Sequence, residues 1–109
     1  MKHRQSEILD AILYYLYPQE NPIQLGRLTK DLTNSIDVDD EDVKTLVIKL
    51  DIDGYIKLED ISVGRKIISI NDKGIDFLRN EGGYTKLFKK QIFKNIKEVA
   101  EFLQILKPI

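Results

Sequence analysis

Apolar residues recur along the first half of the chain at spacings of three and four, the period of helices that bury one face. The first such helix runs from Gln5 to Tyr17, and Pro18 with the Asn21-Pro22 pair ends it. A short extended piece at Ile23 and Gln24 precedes a second helix of barely two turns, which Thr33-Asn34-Ser35 breaks. The buried faces of these two helices contain Ile8, Leu9, Ile12, Leu13, Leu16, Leu25, Leu28 and Leu32.

A third helix is expected to begin at Asp39 and to end at Gly54. Asp39 is a good N-cap residue, and Asp42 three residues later completes an arrangement that resembles a capping box. Gly54 suits the left-handed turn that commonly ends a helix. The buried stripe of this helix contains Val43, Leu46, Val47 and Leu50.

Two runs with alternating apolar and polar residues follow, Tyr55 to Asp60 and Lys66 to Ile70, and Gly64 lies between them. They predict a β-hairpin. Asn71 caps a fourth helix that Gly82-Gly83 closes, and Tyr84 to Leu106 forms the fifth and longest helix. This order predicts an α+β, mainly α fold: a winged helix-turn-helix domain over residues 1–83 and a long additional C-terminal amphipathic helix over residues 84–109.

Three segments of the chain match a known pattern. The first is Leu50-Asp-Ile-Asp-Gly54-Tyr55-Ile56, at the passage from the third helix into a strand. The second is Ile70 to Leu78, which is similar to a T-x-x-G-x-x-F/L helix start with Asn71 in place of threonine, and the third is Gly82 to Lys86. These segments resemble the winged helix-turn-helix family of bacterial transcriptional regulators. The resemblance implies that the third helix binds the DNA major groove and that the hairpin is a wing on a flanking groove.

Composition excludes several classes of site. The 109 residues include no Cys and one His, so there is neither a disulfide framework nor a thiolate or histidine-rich metal site. No phosphate-binding glycine loop or hydrolase motif occurs, and we expect neither an enzyme nor a cofactor. The N-terminus lacks a signal core and no apolar run reaches about 18 residues, which indicates a cytoplasmic protein.

The net charge of −1 conceals an asymmetry, because residues 1–83 contain 11 basic and 16 acidic residues and residues 84–109 contain 6 and 2. The first turn of the third helix, Asp39-Asp40-Glu41-Asp42, suits the helix dipole but would repel phosphates. Arg65 and Lys66 beside Gly64 are the best DNA signal, since a wing would reach the duplex there. The candidate DNA-binding residues are Lys44, Thr45, Lys49, Arg65, Lys66, Arg27 and Lys30.

Ile48 and Ile52 lie one turn apart on the face of the third helix opposite its buried stripe. Either the wing or the C-terminal helix covers them, or they form a small apolar surface for a protein partner. The sequence leaves both interpretations open.

The C-terminal segment has apolar residues at spacings of three and four, close to a coiled-coil seam. This pattern favours a homodimer formed through the helix, with packing along its own domain as the alternative. Its lysines also suit DNA phosphates or an anionic membrane, but no Trp belt or lipidation signal supports membrane docking. The seam contains Phe88, Ile92, Ile96, Val99, Leu103 and Leu106.

The leading hypothesis is a dimeric winged-helix regulator that binds double-stranded DNA with its third helix and wing. The alternative is a winged-helix module that does not bind DNA and holds a protein partner with Ile48 and Ile52.

Overall fold

A computed structural model describes residues 5–19, 21–86 and 96–106, without the side chains of Ile96 and of residues 103–106. The described part is α+β and mainly helical. In chain order its elements are α1 (Gln5–Leu16), β1 (Ile23–Gln24), α2 (Leu25–Ser35), α3 (Asp40–Asp53), β2 (Ile56–Ser62), β3 (Arg65–Ile70), α4 (Asp72–Asp76), a π-helical turn (Phe77–Glu81) and α5 (Ile96–Leu106). The predicted order of helices and strands is thus observed up to Glu81.

The central element is α1, which is buried on every side rather than along one stripe. Its expected apolar face is in the core, and so are Asp10, Ala11 and Tyr14, which point elsewhere around the helix. The reason is that α2, α3, β3 and α5 all contact this helix. The sequence pattern thus predicts an amphipathic helix with one buried face, whereas contacts with the other elements bury α1 on all sides.

The second helix is longer than predicted, because α2 continues through Thr33, Asn34 and Ser35 to a full 11 residues. The hydroxyl of Thr33 donates to the backbone oxygen of Lys30 at 3.1 Å, so this polar residue bonds within the helix. Burial of Leu28 and Leu32 against the core outweighs the weak helix preference of the three residues.

The third helix agrees with its pattern. Val43, Leu46, Val47 and Leu50 are all at most 4% exposed. Asp39 occupies the N-cap position, although its side chain does not accept a capping hydrogen bond from α3. Gly54 ends the helix with φ +87°, in the left-handed region.

The strands form a three-stranded antiparallel sheet in the order β1-β3-β2. Ile68 pairs with Ile23 on one side and with Leu58 on the other, and its side chain is fully buried. The turn between β2 and β3 contains Gly64 at φ +74°, as the hairpin prediction requires. Through β1 the hairpin is fixed against the start of α2.

Gly74, in the first turn of α4, lies in a close contact that a larger residue could not make. Its N–H donates to the side-chain oxygen of Asn71 at 2.8 Å, the expected cap. A Cβ at this position would lie 2.3 Å from the backbone oxygen of Tyr55, so the missing side chain lets the two segments meet.

The prediction of one helix from Tyr84 to Leu106 is wrong at its start. Residues 83–86 form bends, with Gly83 at φ +79° and Lys86 at φ +62°, both incompatible with an α-helix. Residues 87–95 lie outside the described residues. The helix that is described begins at Ile96 and contacts α1 and α2.

Candidate nucleic-acid interface

A groove of about 710 Å³ runs between α2, α3 and the β2–β3 hairpin. Three contacts hold its walls in place: α2 packs on α3, α2 packs on β3, and α3 packs on β2. The side of α3 next to its buried stripe faces the groove, and Val47 belongs to both. The position of the groove thus follows directly from the core packing.

Four basic side chains line the groove, and they come from all three of its walls: Lys30, Lys44, Arg65 and Lys66. Among the described residues, no carboxylate lies within ion-pair distance of Lys30, Lys44 or Arg65. The Lys66 Nζ is 3.8 Å from a carboxylate oxygen of Asp60, a pair too exposed to neutralise it firmly. We call these four residues the groove cations.

Two carboxylates also line the groove, Asp40 from the first turn of α3 and Asp60 from β2. Asp42, from the same first turn, lines a smaller cavity of about 210 Å³ near the start of α1 instead. Among the described residues that line the groove, cations therefore outnumber carboxylates by two to one. An anionic ligand would be favoured there in spite of the negative body of the protein.

Three of the predicted DNA-binding residues lie elsewhere. Thr45 lines the smaller cavity, and its hydroxyl donates to the backbone oxygen of Glu41 at 3.0 Å. Lys49 forms an ion pair of 3.1 Å with Asp53. Arg27, which is absent from the groove lining, lies 4.0 Å from Asp31 along the exposed side of α2. The structure brings together four of the seven residues.

The two isoleucines of α3 are exposed in the single chain, Ile48 by 54% and Ile52 by 78%. Of the two interpretations, the one in which the wing or the C-terminal helix covers them disagrees with this exposure, and residues 87–95 of the C-terminal segment lie outside the described residues. Ile48 lines the groove among the cations. At the tip of the hairpin Ile61 and Val63 are also exposed, and no pattern in the sequence singles them out.

The groove includes further residues that were not predicted. Four of them lie on α2: Leu25, Gly26, Thr29 and Thr33. The hydroxyl of Thr29 donates to the backbone oxygen of Leu25 at 2.9 Å, and nothing lies within 4 Å of the Cβ position of Gly26. Gln24 and Leu58 complete part of the wall. No sequence signal marks them, because they are brought together only by the packing of the hairpin on α2.

A second polar cluster joins the chain after Gly83 to α1. The carboxylate of Asp10, which is fully buried, accepts hydrogen bonds from the backbone N–H of Tyr84 at 2.7 Å and of Thr85 at 3.1 Å. The Thr85 hydroxyl donates to the same carboxylate at 2.8 Å. Burial raises the pKa of Asp10 to about 6, although the three donors act in the opposite direction.

Tyr84 extends this cluster to the end of α3. Its hydroxyl donates to Asp53 Oδ2 at 2.6 Å, and its ring meets those of Tyr55 and Phe77 edge-on. The hydrogen bond from Tyr84 and the ion pair with Lys49 lower the pKa of Asp53. Burial, together with the bond to Asp53, raises the pKa of Tyr84 itself. The predicted DNA-binding residue Lys49 thus belongs to this structural cluster.

The predicted seam of the C-terminal helix is only partly described. Phe88 and Ile92 lie outside the described residues, as do the side chains of Ile96, Leu103 and Leu106. Val99 is described, and it is fully buried in the core of its own chain. The burial of Val99 agrees with the alternative interpretation, in which the C-terminal helix packs along its own domain.

None of the described helices is long and apolar enough to cross a membrane. Within the described residues, no three His, Cys, Asp or Glu side chains are grouped so that they could hold a metal ion.

No protein-family model matches the chain, and neither does any curated protein. Among solved structures, the chain is similar to that of AF1382 from Archaeoglobus fulgidus, a high-resolution crystal structure. The two share 12% sequence identity over 98% of this chain and 93% of the other, with a TM-score of 0.53. This likeness extends to the overall fold alone.

Proposed function

We propose that the protein is a winged helix-turn-helix DNA-binding protein of the transcription-regulator kind, with α3 as its recognition helix and the β2–β3 hairpin as its wing. The groove cations support this proposal most strongly. Four basic side chains from three elements converge on one groove, and three of them have no carboxylate partner among the described residues. Phosphate oxygens would supply those partners.

The dimensions of α3 suit a duplex. Its 14 residues span roughly 21 Å, and a helix of about 10–12 Å in diameter enters a major groove about 12 Å wide. The hairpin lies beside it with Arg65 at the start of β3, next to the tip. A winged helix uses such an arrangement to contact two neighbouring grooves.

The acidic first turn of α3 limits how the helix can dock. Asp40 lines the groove, whereas Asp42 lies toward α1, so the acids do not all face one ligand. Lys44 and Ile48 lie further along the groove side of the helix. We therefore infer that the middle of α3, rather than its N-terminus, enters the major groove.

The proposal is tested by fluorescence anisotropy of a labelled duplex at about 50 and 200 mM salt. Four phosphate contacts give a slope of roughly −3.6 in log affinity against log salt, so binding should weaken about 150-fold over this fourfold change in salt. The variants Lys44→Ala and Arg65→Ala should each reduce the magnitude of that slope by about 1.

The matched control is Lys57→Ala, since Lys57 lies on the same hairpin outside the groove and pairs with Glu59 at 2.6 Å. This variant should leave the slope unchanged. Absence of binding at the lower salt concentration would overturn the proposal. A loss with Lys57→Ala as large as that with Arg65→Ala would show that the groove is not the contact.

A protein-interaction module that does not bind DNA is the second candidate function. The exposure of Ile48 and Ile52 favours it, because a protein partner would remove both side chains from water. The salt titration separates the two candidates, since an apolar contact with a protein lacks the steep salt dependence of phosphate binding. The homodimer through the C-terminal helix stays a prediction.

A further inference from the structure

Two large apolar side chains of α3 are exposed: Ile48 lines the groove, and Ile52 lies one turn further toward the end of the helix. Ile48 is 54% exposed and Ile52 is 78% exposed, although the other large aliphatic residues of α3 are at most 4% exposed. They are one helical turn apart, about 5–6 Å between Cβ atoms. If this surface reads bases, its two isoleucines can do so only by apolar contact, because their side chains carry no hydrogen-bonding group.

The polar side chains of α3 leave few alternatives for reading bases. The Thr45 hydroxyl is bonded to the backbone oxygen of Glu41, and Lys49 is paired with Asp53. Lys44 alone remains as a basic side chain of α3 in the groove. Hydrogen bonding from α3 to a guanine or adenine edge is therefore restricted, whereas apolar contact is not.

The surroundings of Ile48 favour a polyanion as the occupant. The groove that it lines also contains the four groove cations against two carboxylates. A wholly apolar protein surface would leave those cations desolvated and without partners. A DNA duplex instead offers phosphates to the cations and a single apolar group within the major groove, the C5-methyl of thymine.

We propose, on the basis of the proposed function, that Ile48 and Ile52 are specificity-determining residues that contact thymine methyl groups, so the preferred duplex is rich in A·T pairs under α3. Bases along one strand are about 3.4 Å apart. The two isoleucines thus reach methyl groups on base pairs one or two steps apart.

The test compares two duplexes of about 20 base pairs. In the first every base pair is A·T, and in the second, of the same sequence, every thymine is replaced by deoxyuridine, which lacks only the 5-methyl group. Burial of one methyl group corresponds to about a fourfold change in affinity. With two contacts, we expect the wild-type protein to bind the deoxyuridine duplex roughly 10-fold more weakly.

The double variant Ile48→Ala/Ile52→Ala should lose this discrimination and bind both duplexes with similar affinity. Both side chains are exposed, so its thermal unfolding should match that of the wild type. Lys57→Ala is the control here too, because Lys57 lies outside the groove and away from α3, where it pairs with Glu59. That control should retain the 10-fold preference.

A second probe separates the methyl group from other effects of thymine. In a G·C duplex, replacement of cytosine by 5-methylcytosine places the same methyl group in the major groove, and we expect tighter binding. Equal wild-type affinity for the thymine and deoxyuridine duplexes would overturn the inference while leaving salt-dependent DNA binding intact. Absence of binding to every duplex would overturn the proposed function as well and would assign the isoleucine pair to a protein partner.

Discussion

Replacement of the buried Asp10 by asparagine should change how the stability of the protein depends on pH. Asp10 is fully buried, and burial raises its pKa from 3.8 to about 6. Asparagine has nearly the same shape and does not titrate. The difference in unfolding free energy between the wild type and Asp10→Asn therefore isolates the titration of this one carboxyl group.

The sign of the pH dependence of the unfolding free energy follows from proton binding to Asp10. Between about pH 4 and pH 6 the folded protein holds a proton on Asp10 that the unfolded chain has released, so stability falls as the pH rises. The contribution of protonated Asp10 to the unfolding free energy is fully present below pH 3.8 and is lost as the pH rises through about 6. At 1.36 kcal/mol for each pH unit between the two pKa values, the total loss is on the order of 3 kcal/mol.

Urea unfolding of both proteins at several pH values between about 3.5 and 7.5 measures this difference. Asp53→Asn is the control with the opposite sign, because the hydrogen bond from Tyr84 and the pair with Lys49 lower the pKa of Asp53. Its contribution should be lost as the pH falls. A wild-type advantage over Asp10→Asn that grows with rising pH would show that the three hydrogen bonds outweigh burial, and would refute the reasoning.

Two further predictions concern the chain after α4. Gly83→Ala should destabilise the protein by more than about 2 kcal/mol, because its Cβ would lie 2.1 Å from Asp10 Oδ1 at a φ of +79°. Gly26→Ala, in α2 with nothing within 4 Å, should instead stabilise the protein by up to about 1 kcal/mol in the same urea assay, and equal effects would contradict the close contact. Val99→Ala should cost about 2 kcal/mol, since Val99 is fully buried in the core, whereas Val63→Ala at the exposed hairpin tip should cost less than about 0.5 kcal/mol. Similar thermal unfolding of these two variants would show that α5 does not pack on the domain.

Local patterns predicted most of the elements correctly. The stripe of α3, the turn at Gly64 and the cap at Asn71 each depend on neighbours within a few residues, and the structure agrees with them. The errors have tertiary causes. Local residue preferences favour an end of α2 at Thr33, but burial of its apolar side chains extends the helix through Ser35. The chain bends at Gly83 because the backbone after it donates hydrogen bonds to the carboxylate of Asp10, which lies 73 residues before Gly83 in the sequence.

The candidate site was predictable as a set of residue types but not as an arrangement. Lys44 and Arg65 were singled out for their positions on the third helix and the wing, and both line the groove. Thr45 and Lys49 had equally suitable chemistry but bond within α3, a choice that depends on side-chain direction. Lys30 is part of the groove because α2 packs against β3.

The sequence by itself determined the order of helices and strands up to Glu81 and which side of α3 is buried. Helical periodicity, capping residues and turn glycines act over a few residues, so they can be read without the fold. Only the tertiary structure decided that α1 is enclosed on all sides, that Asp10 holds the chain after Gly83, and that four cations from three elements share one groove. Those features join residues distant in sequence, and they arise from packing that no local pattern specifies.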